Sequence, residues 1–388
     1  MSKKHSLEAI ATLVGMTIGA GILAIPFVVV KAGFLTGLLN IVILGIATLV
    51  INLYMGEISL RTKQSHQMTG YADIYLGKAG RKIMVLSMIF GMYGALIAYT
   101  IKEGEFLSKL LGPFLGGNPL IYSIAFFIIG SYLIYRGLAA IEKSELIMVG
   151  LILVIILIFI IVGYPSININ NLISFDIKNI FIPYGVVLFA FMGVVAVPEM
   201  NEELQKNKKY LKKSIITGTL ISMVIYIIFA LIVIGITGQE NMTDGAVIGL
   251  GKVLGNNVLL FGLFFGILTM ATSFIAIGLA LKEMYRFDFK LKEKLSTSLT
   301  CLIPLVASAI IILTKIDNSF FKVIDITGAI SGGSIGILVV LMYWKAKEVG
   351  KRNPEYSINK NNIVGFLLIL MFLAGIVYEL FIITSSII

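Results

Sequence analysis

Gly15-Met16-Thr17-Ile18-Gly19-Ala20-Gly21-Ile22-Leu23-Ala24-Ile25-Pro26 lies inside an uncharged run from Ala9 to Val30. Glycine weakens a helix by about 1 kcal/mol relative to alanine, so three glycines this close predict a break across Gly15 to Gly19. In lipid, a backbone group released from a helix must find a partner in protein or in a water-filled cavity, so a break implies a cavity. The first half-helix would end in free carbonyls, which favour cations. The second would begin with free N–H groups at Gly19, Ala20 and Gly21, which favour anions.

The same G-x-x-A-x-P spacing returns as Gly193-Val194-Val195-Ala196-Val197-Pro198, which predicts a second break around Ala190 to Gly193. Paired, glycine-interrupted spans at corresponding positions of two halves point to a transporter's substrate site. Opposed half-helix ends can hold a zwitterion without a charged side chain. An α-amino acid fits, with its carboxylate on the N–H groups of Gly19 to Gly21 and its ammonium on carbonyls near Gly15 and Phe189 to Phe191. Thr17, Ala190, Met192 and Gly193 complete the candidate substrate site, with Tyr93 near the middle of its span and Phe189 placed as a lid. The competing readings are helix packing through Gly15-x-x-x-Gly19 and ordinary aromatic packing at Tyr93 and Phe189.

Thr269, Thr272 and Ser273 offer hydroxyls and a carbonyl within about one helical turn. With the carbonyls of Gly15 and Ile18 they could form an all-oxygen cage suited to a monovalent cation. Alternatively, each hydroxyl bonds to a carbonyl of its own helix. No other cofactor is implied. His5 and His66 lack metal-ligand company, and the lone Cys301 permits no disulfide within the chain. Glu57, Glu103, Glu105, Glu142, Lys143, Glu145, Glu199, Glu283 and Asp325 all stand at span ends, near water, and only Glu379 lies well inside an apolar run. No span carries the paired acids, metal cluster or Ser/His constellation that a membrane enzyme needs.

These residues must be positioned by membrane helices. The chain is 58% hydrophobic and 13% charged over 388 residues, a composition with no soluble alternative. Uncharged runs near 9–30, 35–56, 83–101, 118–135, 146–165, 180–198, 214–237, 257–281, 295–314, 322–344 and 363–385 predict eleven transmembrane helices. They form one all-α polytopic domain over 1–388. The two repeats, 9–165 and 180–344, are five-plus-five and inverted, with broken helices 1 and 6, and 363–385 is an additional helix. With the N-terminus cytoplasmic, 24 of the 31 Lys and Arg fall on the inner side, which predicts N-in and C-out. The net charge of +10 is then orientation and attraction to lipid headgroups, not a nucleic-acid surface. Met1 to Leu7 leads into the first span with no cleavage site. Short termini and compact loops leave little surface for a protein partner, and no obligate one is evident. Ile-, Lys- and Asn-rich usage suggests the plasma membrane of a prokaryote.

The stretch from Gly15 to Pro26 resembles the first-span signature of the amino acid/auxin permease family and of the related hydroxy and aromatic amino acid permeases, within the amino acid-polyamine-organocation superfamily. Phe189-Ala190-Phe191-Met192-Gly193 with Pro198 to Glu203 resembles their sixth span, and Ala271-Thr272-Ser273-Phe274 their eighth. The resemblance covers essentially the whole chain. It implies a five-plus-five inverted repeat and secondary transport of amino acids by alternating access, with Gly19, Ala20 and Gly21 on the substrate carboxylate and Phe189 as gate. It also implies that Gly15, Ile18, Thr269, Thr272 and Ser273 correspond to the sodium site of sodium-coupled relatives. Met192 stands where several proton-coupled relatives carry Glu, which weakens a proton mechanism there. Metal-transporting relatives carry Asp-Pro-Gly in the first span, unlike Met16-Thr17-Ile18. The expected function is cation-coupled transport of neutral amino acids, sodium before protons. The alternatives are proton coupling through Glu103 or Glu199, and an amino-acid sensor with the same fold.

Overall fold

An apolar run about 20 residues long has few stable forms in lipid other than the helix, whose backbone bonds are internal to the segment. The computed structural model describes residues 2–136 and 145–387, which contain helices and no strand; Glu142 and Lys143 lie outside them. The first span is broken. Helix α1 (Ser2–Thr17) and helix α2 (Gly21–Ala32) meet at a bend of 55°. Then come α3 (Phe34–Arg61), α4 (Met68–Leu115), α5 (Pro119–Arg136) and α6 (Glu145–Gly163). The sixth span is broken too, as α7 (Tyr184–Ala190), a 3-10 turn (Gly193–Ala196) and α8 (Val197–Glu203). After α9 (Leu211–Thr237), a short α10 (Val247–Leu254) leads into α11 (Asn256–Phe287) and α12 (Glu293–Leu313). The next span is α13 (Ser319–Thr327) and α14 (Gly333–Val349) joined by a π turn, and α15 (Asn362–Ile387) is last. Among the described residues, nine helices are long and apolar enough to cross a membrane, ten with the bent first pair, and Gly150–Ser166 is a shorter apolar helix.

The broken elements sit at the centre. Helix α1 packs on α6, α8 and α9, and α2 on α3, α7 and α9, while α4 gathers α5, α11, α12, α13 and α14. Two glycines let the broken elements approach one another closely. A Cβ on Gly21 would lie 2.7 Å from the Ala190 Cβ, and one on Gly328 would lie 2.7 Å from the Phe189 nitrogen, so the two breaks and the π turn touch backbone to backbone. In the first turn of α7, the Asp325 Oδ1 accepts the Val186 N–H at 3.1 Å.

Reading charged residues as span ends near water fails at three positions. The span expected at 83–101 continues to Leu115, and Lys102 and Glu103 inside it are 0% exposed, as is Glu57 in α3. A buried charge is tolerable when a counter-charge reaches it. The Lys102 ammonium donates to Asp244 Oδ1 at 2.7 Å and to Glu105, and it faces the Phe106 and Phe320 rings. Both Glu103 carboxyl oxygens, by contrast, are buried without a hydrogen-bond partner. Glu379 is buried as expected from its run, 5% exposed, with Asp325 its electrostatic neighbour.

Glu57 is the pin of a strap formed by residues 350–361. Its carboxylate accepts from Arg61 Nε (2.7 Å), Lys347 Nζ (2.7 Å), the Ser357 hydroxyl (3.2 Å) and the Ile358 N–H (2.7 Å). The Tyr356 hydroxyl donates to the Leu53 carbonyl at 2.7 Å, and the stacked rings of Tyr54 and Tyr343 lie 3.8 Å apart beneath the strap. Removing one member of such a buried ionic cluster strands the others. Glu57→Ala is expected to destabilise the protein by about 3 kcal/mol, read as a lower unfolding midpoint in detergent; an unchanged midpoint would remove Glu57 from this role.

Candidate functional site

The site begins where the helical ladder stops. The Ile18 N–H still reaches Val14 O at 2.8 Å, but the Gly19 N–H turns to Thr17 O at 3.1 Å, and α2 resumes with Ile22 N–H to Gly19 O (3.3 Å) and Leu23 N–H to Ala20 O (3.0 Å). The Gly15 carbonyl thereby loses the N–H that would have paired with it. The Ala20 and Gly21 N–H groups, just before those of Ile22 and Leu23, have no backbone acceptor. In the sixth span the Phe191 N–H reaches Val187 O at 3.0 Å, and the chain then tightens, with Met192 N–H to Phe189 O (3.2 Å) and Gly193 N–H to Phe191 O (2.7 Å).

The two breaks face each other. Gly21 stands against Ala190, and a Cβ on Gly193 would lie 2.3 Å from the Thr17 hydroxyl. Tyr226, from α9 and 0% exposed, donates its hydroxyl to both Thr17 O (2.6 Å) and Ala190 O (2.8 Å). On the other side of the first break, a Cβ on Gly19 would lie 3.2 Å from the Tyr99 hydroxyl and 3.4 Å from the Ser273 hydroxyl. The Tyr99 oxygen meets the Ala20 backbone and the Ser273 side chain. One break thus presents N–H groups to a phenol, and both present carbonyls to another. This surface recognises charge by dipoles alone.

Among the expected residues, Gly19, Ala20, Gly21, Ala190 and Gly193 meet at the facing breaks. Gly15 is half-buried in the last turn of α1, and the Thr17 hydroxyl donates to Leu13 O at 2.6 Å. Phe189 is half-buried beside Gly328. Phe191 lies edge-on to the Tyr226 ring, centroids 5.1 Å apart. Together with Met192, Thr48, Asn52 and Phe372 it lines a cavity of 20 Å³, room for about one water. Tyr93 is tied elsewhere, bonded to the Tyr285 hydroxyl at 2.7 Å and donating to Leu299 O at 3.0 Å.

The hydroxyl cluster on α11 takes the own-helix form. Thr269 donates to Phe265 O (2.8 Å), Thr272 to Thr269 O (3.0 Å) and Ser273 to Thr269 O (3.1 Å). Of the three, Ser273 is the one set against Gly19. Among the described residues no group of three or more His, Cys, Asp or Glu could hold a metal ion. Sequence reasoning missed Tyr99 and Tyr226. The available signal was chemical, since a phenol in mid-membrane needs an acceptor or donor, but nothing in the spacing says which helix supplies it.

The sequence model described as the tryptophan/tyrosine permease family matches residues 2–381. The chain is 26% identical to tyrosine-specific transport system 1 of Haemophilus influenzae, covering 92% of each protein. It is 21% identical to glutamine transporter 2 of Aliivibrio fischeri, over 77% of this chain and 79% of that protein. Among solved structures, MhsT in complex with L-phenylalanine superposes with a TM-score of 0.69 at 14% identity, over 97% of this chain and 98% of that one.

The contacts at the breaks separate two glycines. A methyl group on Gly21 meets backbone and Cβ of Ala190, whereas one on Gly19 meets only hydroxyl oxygens. Gly21→Ala should therefore cost about 1–3 kcal/mol of stability through overpacking, while Gly19→Ala should unfold within a degree or two of wild type. Equal unfolding midpoints for the two variants would contradict the packing described.

Proposed function

The chain belongs to the tryptophan/tyrosine permease family, and from that premise we propose that it is a secondary transporter of neutral amino acids working by alternating access. It is a membrane permease and not an enzyme. The observation that carries the reading is the meeting of two broken helices, with N–H groups and carbonyls turned towards one another across Gly19 to Gly21 and Ala190 to Gly193. A zwitterion matches this pattern, its carboxylate at the start of α2 beside Tyr99 and its ammonium at carbonyls released from the ladders. The side chains named around Gly19 are hydroxyl-bearing or apolar, which favours an uncharged substrate side chain. Relatives named for tyrosine, tryptophan and glutamine make aromatic and other neutral amino acids the first candidates.

The wider arrangement follows the same reading: eleven spans, the first ten as two inverted five-span repeats and α15 outside them, with the N-terminus in the cytoplasm of a bacterium and the C-terminus outside. Sodium is the favoured coupling ion. A hydroxyl that gives its hydrogen to a carbonyl keeps its lone pairs, so Thr272 and Ser273 remain able to face a cation together with the carbonyls of Gly15, Ile18 and Thr269. Oxygen ligands without a carboxylate suit a monovalent ion better than Ca²⁺ or Mg²⁺. Proton coupling is the second reading, and Glu103 favours it: a buried carboxyl without a partner, one turn from Tyr99, is a group able to carry a proton.

In proteoliposomes, labelled tyrosine should accumulate and be displaced by other neutral amino acids, while Lys, Arg, Asp and Glu displace it only at far higher concentration. Gly19→Val should fold and lose uptake, because its side chain fills the space between Tyr99 and Ser273. Binding without uptake would instead identify a sensor. A sodium gradient alone should drive accumulation, and Thr272→Ala should abolish that dependence; uptake driven by a proton gradient in sodium-free buffer, unchanged in Thr272→Ala, would transfer the coupling to Glu103.

A further inference from the structure

Two carbonyl oxygens converge on one buried point between the broken helices. Thr17 is the last residue of α1 and Ala190 the last of α7, so each carbonyl belongs to the negative end of its helix, beyond the regular ladder; the Gly19 N–H reaches Thr17 O at 3.1 Å and leaves its second lone pair. Two such ends aimed at one point form a place that favours positive charge. What stands there is the Tyr226 hydroxyl, 2.6 Å from Thr17 O and 2.8 Å from Ala190 O. Tyr226 is 0% exposed, its ring is braced edge-on by Phe191, and its phenol lies within electrostatic reach of Tyr99. A phenol has one hydrogen for two acceptors, so its dipole is divided between carbonyls that a cation could bridge at once.

We propose that the Tyr226 hydroxyl takes the place of a monovalent cation between the two breaks. The protein then holds its broken helices together at this point without an ion, and any coupling cation is confined to the Ser273 side of the first break, at most one per substrate. Tyr226 is a positioning residue: it fixes the spacing of the two half-helix ends between which the substrate lies. The inference rests on reading the breaks as the substrate site.

Tyr226→Phe removes one oxygen and leaves both carbonyls aimed at a vacated point, which a sodium ion can enter. Binding of labelled L-tyrosine to purified protein, measured in choline chloride and across a sodium chloride titration, reads the outcome. The variant should bind about tenfold more weakly than wild type in choline, the scale of one lost buried hydrogen bond, and sodium should restore it, with one more sodium ion required per substrate than in wild type. Wild-type affinity with unchanged sodium dependence would overturn the proposal, and so would a loss that neither sodium, lithium nor potassium restores, since that marks a purely structural tyrosine. If the variant does not fold, the sodium-to-substrate ratio of the wild type decides: zero or one supports the proposal and two overturns it. Failure of the unmodified protein to bind any neutral amino acid would be a distinct result, overturning the reading of the breaks and this inference with it.

Discussion

Inside a bilayer a backbone N–H or carbonyl cannot turn to solvent, so a helix that stops in mid-membrane leaves groups that the rest of the protein must meet. This chain stops twice, after Thr17 and after Ala190, and much of its interior is arranged around those two stops. Tyr226 reaches over from α9 to both carbonyl ends. Tyr99 comes from α4 to the opening of α2. Asp325 meets the first N–H groups of α7 from α13. Each partner lies on a different helix, so the packing of the bundle is fixed in part by the needs of the breaks.

Two buried clusters of paired charges stand on other elements than the breaks. In one, Lys102 is held by Asp244 and Glu105 between two phenyl rings, and in the other Glu57 gathers Arg61, Lys347 and the strap. Buried ion pairs add little net stability, because desolvation offsets attraction, but they are specific in geometry, since either partner alone is strongly unfavourable. They serve here to fix which helix ends lie together, whereas Thr17, Ala20 and Ala190 at the breaks meet tyrosine hydroxyls.

Most span positions and both breaks were legible in the sequence because their signals are local: apolar runs of bilayer length, glycines close together, a proline shortly after. The partners were not. Lys102 meets Asp244 across 142 positions and Tyr226 meets Thr17 across 209, and no local pattern specifies such pairs. The same reason explains why Lys102 and Glu103 read as the end of a span: a charge breaks an apolar run whether or not a counter-charge waits for it. Tyr93 was singled out for its depth, but depth does not give direction, and Tyr99, a turn and a half further on, is the tyrosine at the break. For the α11 hydroxyls, sequence offered two geometries, and the own-helix bonds of Thr269, Thr272 and Ser273 are the local one.

The strap at residues 350–361 also orders events during synthesis. Glu57 lies in the second span, yet the Ile358 N–H it accepts comes 301 positions later, after α14 has left the ribosome. Until then the carboxylate has Arg61, four residues away, as its partner within α3, and the carbonyls at the end of α3 depend on water. The end of α3 is therefore completed by a segment translated 301 positions later, so a nascent chain stalled before residue 350 differs from the mature protein around Glu57 as well as at its own end.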